Sequence, residues 1–150
     1  MQAQLNIDEY FVDELIVKKN AKFDKNKPIT GDFFVDFDIL NNKDNPRLFM
    51  ITMIIEFNKT NHNAPYYIFI KLSGFFSYKE GTEEEYIKKT IALNAPSILY
   101  GLARGIIAQV SGNYEYGKFI IPAVNFVEIL KRKSQAKNLK KEKSANTLAK

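Results

Sequence analysis

Cysteine and tryptophan are absent from this chain of 150 residues, and histidine occurs once. Without thiols there is no disulfide and no thiolate metal centre, a composition that fits a reducing compartment. The single histidine, His62, sits among Thr60, Asn61 and Asn63 in a polar segment that reads as a turn. With no second histidine, no typical zinc set can be completed around it, and no nucleophile and base pair can be assembled there. There is no positively charged start followed by an apolar run, and no apolar run is read as long enough to span a bilayer. The expectation is a soluble, cytoplasmic chain without membrane insertion, cofactor, metal or catalytic residues. Two sequence features imitate chemistry. Gly112 to Lys118 spells G-x-x-x-x-G-K, but Phe119 replaces the required Ser or Thr and the segment follows a helix, so it is no phosphate loop. Asp32, Asp36 and Asp38 alternate as the solvated side of a strand does, rather than as paired acids.

What the chain has instead is aromatic mass: twelve Phe and eight Tyr. A chain of this length fits one domain with one substantial core. Its net charge of +5 is unevenly spread. From Lys131 onward eight Lys or Arg stand against one Glu, a net of +7, which leaves −2 for residues 1–130. The basicity therefore belongs to residues 131–150, expected as a solvated, flexible tail continuing from a second helix. An acidic partner or a nucleic-acid contact is the sharper reading of that tail. The body shows no basic aromatic stripe, so no specific nucleic-acid site is expected.

Four strands are predicted. Leu5 to Lys19 carries Leu5, Ile7, Phe11, Leu15 and Val17 on one parity, with Glu9 and Asp13 interrupting it, which suggests a bend or bulge. Phe33, Val35, Phe37 and Ile39 alternate with Asp32, Phe34, Asp36 and Asp38 over the next strand. Arg47 to Phe57 and Tyr66 to Tyr78 follow, both apolar on most of both faces. Short polar turns between the last three predict an antiparallel meander, which the first strand joins to make four. The class is α+β: a four-stranded antiparallel sheet followed by two helices.

The helical half begins at Thr82 and Glu85, spaced as a capping box, and Pro96 is expected to interrupt or restart the helix so that Ser97 to Ser111 forms a rod. Leu99, Leu102, Ile106 and Val110 make one stripe of it; Gly101, Gly105 and Ala108 make another, beside Ile98 and Ile107. A helix apolar on most sides is buried on most sides, and helix-interior glycines cost about 1 kcal/mol each against alanine. Their use is close approach of another backbone, either the chain's own sheet or a second subunit.

The order of segments in residues 73–130, with GFFS at a strand end, EGTEEE, APSILYGLAR on a helix and PAVNF before a second helix, resembles the SecB family of protein-export chaperones. That resemblance implies a dimer of dimers packed through the long helix, with Ile98, Gly101, Leu102, Gly105 and Ala108 at the interface. It implies a groove between strand ends, connecting loop and second helix that holds unfolded preproteins without an enzymatic step; Phe34, Phe75, Phe76, Tyr78, Tyr100 and Phe126 are the expected lining. Family members present acidic sheet positions to the SecA motor. Glu14 retains one, Lys18 and Phe69 fall at others, and the usual helix proline is replaced by Gly101. Some SecB-like proteins guard an antitoxin in a toxin–antitoxin system, which is the second reading. A third, from a different class, is a binder of small hydrophobic molecules in a closed aromatic pocket.

Overall fold

A computed structural model describes residues 3–148. Four antiparallel strands, β1 (Leu5–Lys19), β2 (Phe33–Asn41), β3 (Leu48–Phe57) and β4 (Tyr66–Tyr78), form one sheet in the order β1-β4-β3-β2. The meander β2-β3-β4 is as the short turns demand. β1 lies beside β4 rather than β2, the arrangement of a Greek key. Both helices, α1 (Glu84–Ser111) and α2 (Phe126–Leu148), come after the sheet in sequence.

Strand alternation divides the sheet into two faces. Phe49, Ile51, Met53, Ile55 and Phe57 of β3 and Tyr66, Ile68, Ile70, Leu72, Phe76 and Tyr78 of β4 are buried in one core cluster with the α1 residues Ile87, Ile91, Ala95, Leu99, Ala103 and Ile107. The spacing of four along the helix is the signature of a single packed stripe. Gly74 continues the β4 core parity where α1 comes closest: a Cβ there would lie 2.8 Å from the Phe76 ring and 3.1 Å from a Leu99 methyl.

β1 is bulged twice. Its register against β4 shifts between Ile7 and Glu9 and again between Val12 and Glu14, so Asp8 and Asp13 are the extra residues. The first shift turns the strand over and the second turns it back. Phe11 therefore stands opposite Ser73 on the face away from the helices, and not with Leu15 and Val17, which pair with Ile70 and Ile68 on the core face. The expected single parity for Leu5, Ile7, Phe11, Leu15 and Val17 fails at Phe11 for this reason.

The helix start and the proline also differ from expectation. Thr82 donates its hydroxyl to the Lys79 carbonyl at 2.7 Å and is spent on the turn; Glu83 occupies the cap position with no side-chain cap bond. Pro96 lies inside one continuous 28-residue helix. Its missing N–H leaves one carbonyl without a helical partner, while the neighbouring Ser97 hydroxyl bonds the Leu93 carbonyl at 2.6 Å. Because the helix runs through, α1 becomes long and apolar enough, by length and composition, to cross a bilayer. Its buried stripe against the sheet makes it instead the core helix of this fold. Residues 131–148, anticipated as tail, continue α2 as helix, and the side chains of residues 131–145 are mostly exposed.

Candidate functional site

Between the helices, residues 112–125 form a mostly exposed loop that is pinned to the domain by aromatic contacts. Phe119 stacks on Phe57 with ring centroids 4.9 Å apart, Tyr114 and Tyr116 meet Tyr66, and the Tyr66 hydroxyl donates to the Gly117 carbonyl at 2.8 Å. Buried Ser111 closes the start of the loop by accepting the Phe119 N–H at 2.8 Å. At the far end the Tyr100 hydroxyl donates to the Pro122 carbonyl and the Arg104 Nε donates to the Ile121 carbonyl at 3.2 Å. Burial pushes the Tyr100 pKa up to about 12. Asn125 then accepts the Val127 N–H at 3.0 Å and starts α2 as a cap does.

From that start α2 runs beside β2, the edge strand. Two clefts follow the seam. The first, about 190 Å³, is lined by Phe33, Val35, Ala123, Val124, Asn125, Glu128, Ile129 and Arg132. The second, about 260 Å³, is lined by Phe37, Asp38, Ile39, Leu130, Lys133, Ser134 and Lys137. Lys133 bridges the seam between them: its ammonium donates to the Asp36 carboxylate and to the Phe37 carbonyl and sits 5.0 Å from the Phe37 ring centroid. The Phe37 N–H is taken by Asp36 Oδ1 at 2.9 Å. Both backbone groups of Phe37 thus face the free edge of β2 and are capped there. Val35 and Ile39, of the same parity, turn their N–H and C=O to the same edge.

The sheet face away from the helices carries the rows Phe34–Glu56–Phe69–Ile16, Asp36–Ile54–Lys71–Glu14, Asp38–Thr52–Ser73–Phe11 and Leu40–Met50–Phe75–Glu9. Phe34 and Phe75 are 52% and 40% exposed, but they stand three rows apart, about 20 Å along the strands. Phe75 meets Phe11 at 6.1 Å between centroids and borders an apolar hollow of about 310 Å³ with Leu40, Leu48 and Met50. Of the six aromatics expected to line a groove, Phe76, Tyr78, Tyr100 and Phe126 are instead 1%, 4%, 5% and 7% exposed, in the core. Adjacent strand residues face opposite sides, so Phe75 is exposed on the open face while Phe76 packs into the core, and the two meet only at the hollow by the sheet end. Tyr100 and Phe126 do meet, at 5.8 Å, and Phe126 meets Phe37, so they form the floor under the start of α2. Glu14, Lys18 and Phe69 all fall on the face away from the helices, as the register with Lys71, Tyr67 and Ile16 requires.

On α1 the small residues point outward. Gly101 and Gly105 are exposed, and a Cβ on either would meet nothing within 4 Å. Close approach to the sheet is made by Ala95 and Ala103 instead, both fully buried. Ile98 is exposed beside the glycines, with Leu102 and Ala108 half-buried along the same flank.

A family model described as preprotein translocase subunit SecB matches residues 1–137. The chain belongs to the SecB family. Among curated relatives it is 29% identical over 99 residues to the protein-export protein SecB of Anaplasma phagocytophilum, covering 64% of this chain and 62% of that one. It is 23% identical over 141 residues to an uncharacterised protein of Methanocaldococcus jannaschii, covering 93% and 90% of the two chains. Among solved structures, the Mycobacterium tuberculosis SecB-like chaperone Rv1957, in complex with a ChAD peptide from the HigA1 antitoxin, superposes with a TM-score of 0.61 at 12% identity over 81% of this chain and 91% of that one. The four-stranded antiparallel sheet followed by two helices is thus the SecB-like fold, and this is a SecB-like chaperone-family chain.

Residues that the sequence did not single out hold the seam and its surroundings. Lys133 and Phe37 read as tail charge and ordinary core. Buried Asn58, at φ 60°, accepts the His62 N–H at 2.6 Å and donates to the Tyr66 carbonyl at 3.3 Å, so the turn bearing His62 is built on it. A buried position for an asparagine within a polar run carries no periodic signal. A cavity of about 600 Å³ is lined by Lys18, Lys19, Lys22, Lys59, Glu56 and Tyr67 among others, and is not the apolar pocket that a small hydrophobic ligand requires.

Proposed function

We propose that this chain is a non-enzymatic holdase that binds unfolded preproteins and other non-native polypeptides along the β2–α2 seam and serves Sec-dependent export in the cytoplasm. The observation that carries the reading is the free edge of β2 flanked by clefts in which apolar and polar side chains mix. An extended segment can pair with Val35 and Ile39 and place alternate side chains among Phe33, Ile129, Ile39 and Leu130. Backbone pairing is indifferent to sequence, and folded proteins blunt or cover most of their strand edges, so the site favours the non-native state.

The same reading gives the outward flank of α1 to a second copy. Ile98, Gly101, Leu102, Gly105 and Ala108 form a surface on which another helix can approach closely, and a dimer of dimers joined there offers several weak seams to one long client. Linked weak sites give tight binding through effective concentration. Glu14, on the open face, is the candidate contact for SecA; Lys18 and Lys71 alter the charge around it.

A second reading within the chaperone class is supported by the antitoxin peptide bound to the structurally similar Mycobacterium tuberculosis protein: the seam would then guard one antitoxin segment. Titrating purified SecA against the chain separates the two. Saturable binding weakened by Glu14→Lys supports export, whereas no binding alongside tight, one-to-one capture of a single antitoxin supports guarding. The polypeptide site itself is tested by adding an unfolded chain and its folded counterpart to Val35→Pro, which removes an edge N–H donor and should lower affinity for the unfolded chain about tenfold. Unchanged affinity places the client elsewhere.

A further inference from the structure

α2 carries far more positive charge than the fold uses. Among the described residues its ion pairs are those of Lys133, with Asp36 and Asp38. Arg132, Lys137, Lys140, Lys141 and Lys143 are exposed and have no ion-pair partner there. Lys133, Lys137, Lys140 and Lys141 recur at intervals of four, seven and eight residues, which places them on one face of the helix. Lys133 rests on Phe37, so that face is turned toward the edge of β2. Lys133 and Lys137 line the second cleft beside Ile39, and Lys140 and Lys141 follow one turn further along the same helix face.

We infer that this row selects the occupant of the seam: an extended non-native segment whose apolar stretch is followed by Asp or Glu side chains. The inference rests on the reading of the seam as a polypeptide site and names the client chemistry it prefers. Exposed ion pairs are individually weak, but Lys137, Lys140 and Lys141, uncompensated beside a cleft of mixed lining, concentrate anionic partners, and salt screens the effect. A polypeptide fits better than a nucleic acid because the row is continuous with a cleft lined by Phe37, Ile39 and Leu130. It also offers no stacking platform: Phe126 is the sole aromatic of α2, and it is buried.

The test uses the full chain and three labelled peptides that share one apolar core and differ only in the following residues, which are acidic, neutral or lysine. Fluorescence anisotropy should rank them acidic, neutral, lysine, with about a tenfold span at low ionic strength that collapses at about 0.5 M salt. K140E/K141E should abolish the ranking while leaving the neutral peptide within about twofold. If that variant fails to fold by circular dichroism, K140A/K141A should narrow the span. Binding of all three peptides with equal affinity overturns the inference and leaves the polypeptide site standing. Failure to bind any peptide overturns the site and the inference together. A single-stranded oligonucleotide that displaces the acidic peptide and binds more tightly than it assigns the row to nucleic acid and also overturns the inference.

Discussion

A single hydroxyl at Tyr100 ties the long helix to the loop that places α2, through the Pro122 carbonyl. Tyr100→Phe keeps the ring against Phe126 and removes that bond, which should cost about 1 kcal/mol at neutral pH, read as a lower urea midpoint. The same residue sets an alkaline limit. Its folded pKa is raised by burial to about 12 from 10.0, and burial also raises Tyr66, Tyr67 and Tyr78. A raised folded pKa means that the unfolded chain loses its proton first. The contribution is therefore fully present below about pH 10 and is lost as pH rises toward 12. Stability measured across that window should fall less steeply in Tyr100→Phe than in the parent chain, and parallel slopes would remove Tyr100 from the account. Ser111→Ala should cost about 1–2 kcal/mol by leaving the buried Phe119 N–H without its acceptor.

At the scale of elements, apolar runs bounded by polar turns located the strands well: Leu5 to Lys19 and Tyr66 to Tyr78 are predicted and observed with the same ends, while period-two patterning marked β2 most clearly. A strand buried on one face must alternate, and alternation is visible in residue order. The acids within β1 signalled its irregularity, but only pairing shows that Asp8 and Asp13 are the inserted residues and that Phe11 changes face. The capping box and the proline break misled because each depends on competition that spacing does not record. Thr82 had a nearer carbonyl, and the packed stripe from Ile87 to Ile107 holds α1 together across Pro96. The glycines of α1 have room for side chains within this chain. Gly105→Ala should thus stabilise the isolated subunit by up to about 1 kcal/mol, seen as a higher thermal midpoint in dilute solution. Gly105→Leu should preserve helical circular dichroism yet lower the assembled mass by light scattering, since the larger side chain obstructs a close partner. An unchanged mass would remove that flank from the interface.

For the whole molecule, one stack of helices covers one face of the sheet and leaves the other face, a free edge and a helix flank to other uses. An aromatic-rich composition pointed to surplus apolar surface, but composition does not say which aromatics remain outside. Burial assigns Phe76, Tyr78, Tyr100 and Phe126 to the core and leaves Phe34 and Phe75 on opposite ends of the open face. The seam is assembled from residues nearly a hundred positions apart, Phe37 and Lys133 among them, and no local pattern announces such a pairing. Net charge was legible as a basic end and an acidic body; its alignment along the edge of β2 was not. The central claim is that an assembled SecB-family chain holds non-native polypeptide. Multi-angle light scattering of the chain alone, with an unfolded preprotein and with the same protein folded tests it most directly. The account predicts a tetramer that gains the mass of the unfolded chain and ignores the folded one; a monomer whose mass is unchanged by either would contradict it.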